Sequence, residues 1–246
     1  MNHLLPDELA HRLRAARRVT VLTGAGTSAE SGVPTFRDAQ TGLWARFRPE
    51  ELATPGAFAA HPRRVWEWYA WRRDLVARAR PNAGHHALVE LARRVPEFTL
   101  ITQNVDGLHQ RAGSAGVIEL HGNLARTRCS ACCGVVDSWE ETDDPPPRCP
   151  RCGALLRPDV VWFGEALPPG VLEAAWTATE QCDAFLSIGT SSLVHPAASL
   201  PEMAVSRGRL VIEINPRETP LSPRATCALR GTSADLLPRL VTQVWG

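Results

Sequence analysis

Short apolar segments recur along the chain and predict the strands of a β-sheet. The first, residues 19–23, is β-branched and apolar and is bounded by glycine, which is typical of a buried strand in a parallel sheet. Four more strand-like segments follow, at residues 98–102, 117–120, 184–188 and 210–214. Helix-length stretches separate most of them, so the pattern predicts an α/β fold whose sheet is largely parallel.

Polar clusters follow four of these segments directly. The clusters are Gln103-Asn104-Val105-Asp106, His121-Gly122-Asn123, Gly189-Thr190-Ser191 and Asn215-Pro216-Arg217. In open parallel sheets, ligands bind outside the carboxyl ends of the strands. We therefore expect the clusters to meet at one edge of the sheet and to form a ligand site there.

A glycine-rich turn follows the first predicted strand. Gly24-Ala25-Gly26-Thr27 opens a G-x-G-x-x-A pattern that ends at Ala29. Glycines let the backbone approach a pyrophosphate, whose charge is met by N–H groups at a helix N-terminus. The dehydrogenase version of this pattern leads to an acidic ribose-binding residue about 20 positions on, whereas here Gly32 and Pro34 cut the helix short. The turn alone leaves open both a nucleotide site and a plain strand-to-helix connection.

The cysteine spacing predicts a structural zinc site. Cys129-x-x-Cys132 and Cys149-x-x-Cys152 are separated by sixteen residues, as in a zinc ribbon whose two turns each supply a pair of thiolates. Four thiolates close the coordination sphere and leave no position for water. The alternative is two disulfides in an oxidising compartment. Cys133 offers a second register for the first pair, and we choose Cys132 because it preserves the two-residue gap.

Two segments interrupt the alternation of strands and helices. Residues 38–80 are rich in tryptophan and arginine and indicate loops and helices, and residues 124–156 carry five of the seven cysteines. We predict a Rossmann-like domain of residues 1–37, 81–123 and 157–246. The interrupting segments then form a smaller lobe, composed of a helical insert and a zinc-ribbon insert.

Charge and hydropathy exclude several classes of function. The 246 residues carry a formal net charge of +1, so the overall balance indicates neither nucleic acid nor a membrane surface as a partner. Apolar residues at helical spacing after Pro6 predict a docked helix near the N-terminus, which argues against a signal peptide. No apolar run approaches the length of a membrane span. We therefore expect a cytoplasmic protein.

Several motifs, taken in order, resemble those of the sirtuin family and cover nearly the whole chain. They are Gly24-Ala25-Gly26-Thr27-Ser28, Gly32-x-Pro34-x-Phe36-Arg37, Gln103-Asn104-Val105-Asp106-Gly107-Leu108-His109, His121-Gly122, the cysteine pairs, Phe163-Gly164-Glu165 and Gly189-Thr190-Ser191. The family consists of NAD-dependent protein deacylases, which remove acyl groups from lysine side chains. The resemblance implies NAD as co-substrate and acylated-lysine proteins as partners.

The resemblance also implies roles for the polar clusters. Asn104 and Asp106 are similar to residues that line the nicotinamide end of NAD, and Gln103 is similar to one near the ribose. His121 is similar to the general base, which takes a proton from a ribose hydroxyl and for which a near-neutral pKa is suitable. His109 is the competing candidate, which we interpret as packing or orienting its loop. The further NAD contacts implied are Gly24, Ala25, Gly26, Thr27, the arm residues Phe36 and Arg37, Val105, Gly189, Thr190, Ser191, Asn215, Arg217 and Ser233.

Tyr69 and Arg72 are candidates for recognition of the acyl group. They lie three positions apart in a helix-like stretch, residues 65–77, so they share one face. Arginine can hold a carboxylate through two bonds and tyrosine adds a donor, although spacing alone favours an ordinary amphipathic helix. With the small residue Ala53, the segment is similar to the sirtuins that remove succinyl, malonyl or glutaryl groups. The resemblance thus implies a desuccinylase and demalonylase with some deacetylase activity.

A substrate peptide is implied to add as a strand between two segments of the chain. These are Val161-Trp162-Phe163-Gly164-Glu165 and Ser192-Leu193-Val194, and the implied contacts are Val161, Phe163 and Gly164. Binding by strand addition gives affinity through main-chain hydrogen bonds and makes little demand on the peptide sequence.

Three other functions compete with this interpretation. An NAD-dependent dehydrogenase is disfavoured by the missing acidic ribose residue and by the closed zinc site. A protein ADP-ribosyltransferase would use the same NAD site. A non-catalytic module that binds protein or DNA through its zinc lobe would need no base at His121.

Overall fold

The structure is a computed structural model, and it describes residues 4–34, 47–132 and 134–246. The helices in these ranges are α1 Asp7–Ala15, α2 Gly26–Ala29, α3 Pro49–Leu52, α4 Pro55–Ala60, α5 Pro62–Arg78, α6 Ala83–Arg94, α7 Leu108–Ala112, α8 Pro169–Gln181, α9 Ser199–Ser206 and α10 Ser233–Trp245. The strands are β1 Arg18–Thr23, β2 Glu97–Thr102, β3 Ile118–Glu119, β4 Gly122–Cys129, β5 Leu156–Val160, β6 Ala184–Ile188, β7 Leu210–Ile214 and β8 Cys227–Leu229.

Six of these strands form one sheet in the order β3-β2-β1-β6-β7-β8, and every neighbouring pair is parallel. The predicted α/β fold with a largely parallel sheet is therefore confirmed. Helices cover both faces of the sheet. Val21 packs with α1, α6 and α10 on one face, while the next residue, Leu22, packs with α8 and α9 on the other. Successive strand residues point to opposite faces, so both must be apolar, which explains the continuous apolar runs.

The strand order reverses between β1 and β6, which makes their carboxyl ends the topological switch point where ligands bind in such sheets. The loops that follow β1 and β6 meet there, with their backbones in direct contact. A Cβ atom on Gly24 or on Gly26 would lie 2.8 Å from the carbonyl oxygen of Gly189. Gly189 itself has φ +61°, which favours glycine. The turn glycines are thus required by contact between the β1 and β6 loops.

A smaller lobe contains the helices α3 to α5 and the antiparallel pair β4–β5. A separate apolar cluster holds it together, with Trp68 and Tyr69 of α5 against Leu124 and Trp162. Arg73 of α5 also donates to the carbonyl oxygens of residues in β4. The sequence pattern did not indicate β4, β5 or β8 as strands. β4 begins at Gly122 and β5 ends at Val160, so the pair includes residues on both sides of the expected insert boundaries.

Candidate active site

A cleft of about 1040 Å³ opens at the carboxyl ends of the parallel strands and reaches the smaller lobe. Most of the candidate residues line it. These are Gly24, Ala25, Gly26, Gln103, Asn104, Val105, Asp106, His121, Gly189, Thr190, Ser191, Asn215, Arg217, Ser233, Tyr69, Arg72, Val161, Phe163 and Gly164.

Three candidates differ from this group. Thr27 is buried beside the cleft rather than in its wall, and its hydroxyl donates to the carbonyl of Ile188 at 3.3 Å. It therefore supports the contact between the β1 and β6 loops. The arm residues Phe36 and Arg37 lie outside the described residues.

Asn104 joins the β2 loop to the glycine turn. Its side-chain amide donates to the carbonyl of Gly24 at 3.0 Å and to the Ser28 hydroxyl at 3.1 Å. Its backbone N–H donates to Thr102 Oγ1 at 3.0 Å. Because these bonds use Nδ2, the amide oxygen keeps its acceptor capacity. The floor of the cleft is thus held by hydrogen bonds between two strand ends.

Asp106 is a buried carboxylate at the junction of the sheet and the smaller lobe. Burial raises its pKa, while hydrogen bonds from Leu108 N–H and the Ser28 hydroxyl and the nearby Arg72 charge oppose that rise. Ser28 thus contacts both Asn104 and Asp106. Its place in the turn motif gave no sign of this role, because the role depends on contacts more than 70 positions away in the chain.

His121 has a defined tautomer. Its Nδ1 lies 3.0 Å from the carbonyl oxygen of Gln103, which can only accept, so Nδ1 carries the proton. Burial lowers the pKa of the imidazole below its usual 6.5, and the bond to Gln103 opposes this only partly. The ring is therefore neutral at pH 7 and holds a lone pair on Nε2. A neutral, oriented imidazole in a cleft can accept a proton from a hydroxyl group.

Gln103 and Asn215 link the His121 end of the cleft to the far end through Thr190. Gln103 Nε2 donates to Thr190 Oγ1 at 2.9 Å, and Asn215 Nδ2 donates to the Thr190 carbonyl at 2.7 Å. The side chain of Asn215 also accepts from Arg217 N–H at 3.1 Å. At the far end, Ser233 Oγ is buried and has no hydrogen-bond partner among the described residues. Buried polar groups are usually hydrogen-bonded, so an unsatisfied hydroxyl beside the cleft is a candidate contact for a polar ligand.

Tyr69 and Arg72 line the part of the cleft that lies against α5. Tyr69 is 4% exposed, and its hydroxyl accepts a hydrogen bond from Trp162 Nε1 at 2.9 Å. Burial raises the pKa of Tyr69 to about 12, so the hydroxyl stays protonated. Arg72 stacks over the Trp68 ring at 5.1 Å, and burial lowers the pKa of its guanidinium. A desolvated cation and a neutral hydroxyl therefore share one wall.

Four cysteines lie together at the far end of the β4–β5 pair. The sulfur atoms of Cys129, Cys132, Cys149 and Cys152 all lie within 4.8 Å of one another, and the two closest recorded pairs are 3.4 and 3.9 Å apart. A disulfide would require about 2.05 Å, whereas a tetrahedral zinc with bonds of about 2.3 Å fits separations near 4 Å. The N–H groups of Ala131 and Cys132 point at the Cys129 sulfur, which favours its thiolate form. The cluster fits one structural zinc ion.

Comparisons with known proteins agree with this geometry. The sequence model of the Sir2 family matches residues 24–196. The chain belongs to the Sir2 family. A Sir2 relative from Methylococcus capsulatus, named NAD-dependent protein deacylase, is 52% identical over 245 residues, which is 96% of this chain and 95% of the relative.

Solved Sir2 structures share the fold. The crystal structure of a Sir2 homologue in complex with NAD has a TM-score of 0.91 at 50% identity, and the match covers 98% of this chain and 94% of that one. A Sir2 structure with a p53 peptide and NAD has a TM-score of 0.82 at 31% identity, covering 96% and 97%. The predicted family and fold are thus confirmed, and NAD is supported as the ligand of the family. In the described part of the chain, the helices lack the length and apolar character needed to cross a membrane.

Proposed function

We propose that this NAD-dependent protein deacylase of the Sir2 family acts preferentially on lysines that carry succinyl or malonyl groups. Acetyl groups are slower substrates, and the products are nicotinamide and O-acyl-ADP-ribose. The observation that carries the proposal is that Arg72 and Tyr69 line the same cleft as His121, close enough to interact electrostatically. The expected cytoplasmic location stays a prediction.

NAD would lie along the switch point of the sheet. The N-terminus of α2 and the close-packed Gly24, Gly26 and Gly189 would face its phosphates, and Asn215 with Ser233 would hold the adenosine end. The unsatisfied hydroxyl of Ser233 supports this end of the arrangement. When bound, NAD supplies a ribose carbon whose bond to nicotinamide can be broken.

Asn104 and Asp106 would bind the carboxamide at the nicotinamide end. The Asn104 amide nitrogen is already bonded to Gly24 and Ser28, so the amide oxygen is the atom that would accept from a ligand. Asp106 is buried beside it and is held in place by the N–H of Leu108. An acceptor and a carboxylate at this position can accept from the carboxamide N–H group or from an ordered water.

His121 would be the general base. Its Nε2 lone pair is available because Nδ1–H is committed to the Gln103 carbonyl. Burial keeps the ring neutral, so the base is ready at pH 7 and can take the proton of a ribose hydroxyl. Its imidazolium form would be costly in the cleft, so the proton would be passed on readily to product or solvent.

The acyl group would enter the wall formed by Tyr69, Arg72 and Ala53. Burial lowers the pKa of the Arg72 guanidinium, and the nearby Asp106 opposes that shift. A carboxylate from a succinyl or malonyl group can accept from two guanidinium N–H groups and from the tyrosine hydroxyl. Hydrogen bonds to charged groups contribute about 1.5–3 kcal/mol, which corresponds to a preference of tenfold or more over acetyl.

The substrate backbone would dock at the mouth of the cleft. Phe163, Leu193 and Val194 are large apolar residues that are exposed there, on two segments that border the same opening. These segments are suited to receive an extended peptide between them. The expected helical insert at 38–80 and zinc-ribbon insert at 124–156 would together form the lobe that closes this side.

Substitution of Arg72 tests the acyl preference. We expect Arg72→Met to lower kcat/KM on a succinyl-lysine peptide about tenfold or more relative to the acetyl peptide, since a charge-assisted bond is lost. Arg78→Met is the matched control, because Arg78 lies exposed on the last turn of the same helix. An unchanged succinyl-to-acetyl ratio in Arg72→Met would show that the acyl pocket is assigned incorrectly.

Labelled NAD separates deacylation from the alternative of protein ADP-ribosylation, which would use the same cleft. Deacylation should place the label in soluble acyl-ADP-ribose. Stable label on protein, with the peptide still acylated, would support the alternative instead.

A further inference from the structure

Trp162 contacts Tyr69, which lines the acyl wall with Arg72. It is 3% exposed and lies just after β5, with its ring 6.3 Å from the ring of Tyr69 between centroids. Its indole Nε1 is 2.9 Å from the Tyr69 hydroxyl oxygen. This bond joins the segment that borders the peptide entrance to the helix that carries Arg72.

The polarity of this hydrogen bond is fixed by chemistry. An indole N–H can only donate, so the Tyr69 oxygen must be the acceptor. The hydroxyl has a single proton, which it must therefore direct to another group. Among the described residues, no hydrogen-bond acceptor is recorded for that proton, and Tyr69 borders the cleft. The free proton of Tyr69 is consequently available to a bound ligand.

The orientation of Trp162 is itself held by a partly buried ion pair. The Arg157 guanidinium lies 3.5 Å above the indole ring and forms two bonds, of 2.5 and 2.9 Å, to the Glu165 carboxylate. Glu165 also accepts from the backbone N–H of Trp162 at 2.8 Å. With Arg157 stacked on the ring and Glu165 bonded to the backbone N–H, the indole N–H stays directed at Tyr69.

We propose that Trp162 is a positioning residue that commits the Tyr69 hydroxyl to donate toward the acyl carboxylate. The proposal rests on the proposed acidic-acyl preference. Accepting the indole bond also polarises the hydroxyl and strengthens it as a donor. An acetyl group ends in a methyl group and gains nothing from this donor. Trp162 would thus act on the choice between acyl groups rather than on the chemical step.

A double-mutant cycle tests this inference. Trp162→Phe keeps an aromatic ring but removes the donor, and we expect it to lower the succinyl-to-acetyl ratio of kcat/KM about fivefold, mainly through KM for the succinyl peptide. In a Tyr69→Phe background, Trp162→Phe should leave the ratio unchanged, because the hydroxyl is already absent. Trp176→Phe, on the exposed face of α8, is the matched control.

The outcomes separate this inference from the proposed function. Two results would overturn the role of Trp162 while Arg72→Met still removes the acyl preference. In the first, Trp162→Phe changes the succinyl-to-acetyl ratio of kcat/KM even in the Tyr69→Phe background. In the second, Trp162→Phe lowers kcat/KM equally on both peptides. If Arg72→Met also leaves the ratio unchanged, the proposed acyl preference is wrong.

A spectroscopic measurement covers the case in which Trp162→Phe does not fold. The wild-type chain and the Tyr69→Phe variant are both labelled with ¹⁵N-tryptophan. The Trp162 indole N–H resonance is identified by its shift between the two spectra. Succinyl-lysine peptide should shift that resonance, because its carboxylate engages the Tyr69 hydroxyl, and acetyl-lysine peptide should shift it much less. Equal shifts with both peptides would contradict the inference.

Discussion

Acid should destabilise the chain through two histidines buried behind the cleft. His85 and His109 are each at most 1% exposed, and their ring centroids are 4.8 Å apart. His85 Nδ1 accepts from Asn82 N–H, and His109 Nε2 is 2.9 Å from the Thr23 hydroxyl. The remaining nitrogens, His85 Nε2 and His109 Nδ1, have no partner among the described residues. In residues 4–34, 47–132 and 134–246, neither ring has a carboxylate beside it that would stabilise a positive charge.

The size of the effect follows from the two pKa values. Burial lowers the pKa of His85 to about 4 and that of His109 to about 3, from 6.5 in the unfolded chain. The unfolded chain therefore binds protons first, so stability is intact above pH 6.5 and is lost as the pH falls below it. At about pH 5 the loss is roughly 2 kcal/mol for each ring and roughly 4 kcal/mol for both. Total stabilities are usually about 5–15 kcal/mol, so the effect is large.

Urea unfolding at pH 7 and at about pH 5 measures this loss. The variant for comparison is His85→Asn with His109→Gln, because the Asn amide oxygen can accept from Asn82 N–H, the Gln amide can bond the Thr23 hydroxyl, and neither amide titrates. We expect the variant to lose roughly 4 kcal/mol less than the wild type between the two pH values, whatever its stability at pH 7. Zinc release in acid affects both proteins equally and is monitored with an indicator. Equal losses in both proteins would refute the role of the buried pair.

Three further predictions concern the base, the turn and the metal. NAD-dependent turnover should hold as the pH falls to 6.5 and decline only below it, because burial lowers the pKa of His121; a decline that begins above pH 7 would contradict a neutral buried base. Gly26→Ala should weaken NAD binding in calorimetry by about tenfold, since its Cβ would lie 2.8 Å from the Gly189 oxygen; unchanged affinity would show that the loops can separate freely. Cys149→Ser should hold less than one zinc per chain by atomic emission and unfold at a lower temperature; full zinc content would exclude Cys149 as a ligand.

The sequence pattern was most informative where strands are buried on both faces. β1, β6 and β7 appear as short apolar runs because both sides of each strand meet helices. β4 was not predicted, since it carries two arginines and is buried along only part of its length. β8 has only three residues, which is too short for a pattern.

The identity of most site residues could be predicted from the sequence, but the hydrogen bonds that connect them could not. The motifs indicated Asn104, Asp106 and His121, and the strand ends explain why these lie together. The links made by Ser28 and Trp162 were not predictable, because each joins residues distant in sequence through a particular side-chain orientation. Thr27 was indicated by its motif position as a contact for NAD, but its hydroxyl bonds the carbonyl of Ile188 instead. The motif gives no information on which way this side chain points.

One measurement tests the proposed activity most directly. The zinc-loaded chain is incubated with NAD and an equimolar mixture of acetyl-, succinyl-, malonyl- and glutaryl-lysine peptides, and each peptide is followed by mass spectrometry. The chain contains no lysine, so the acyl-lysine signal comes from the peptides alone. We expect NAD-dependent loss of the succinyl and malonyl groups first, with slower loss of acetyl. Loss of acetyl alone, or no loss that depends on NAD, would contradict the proposed function.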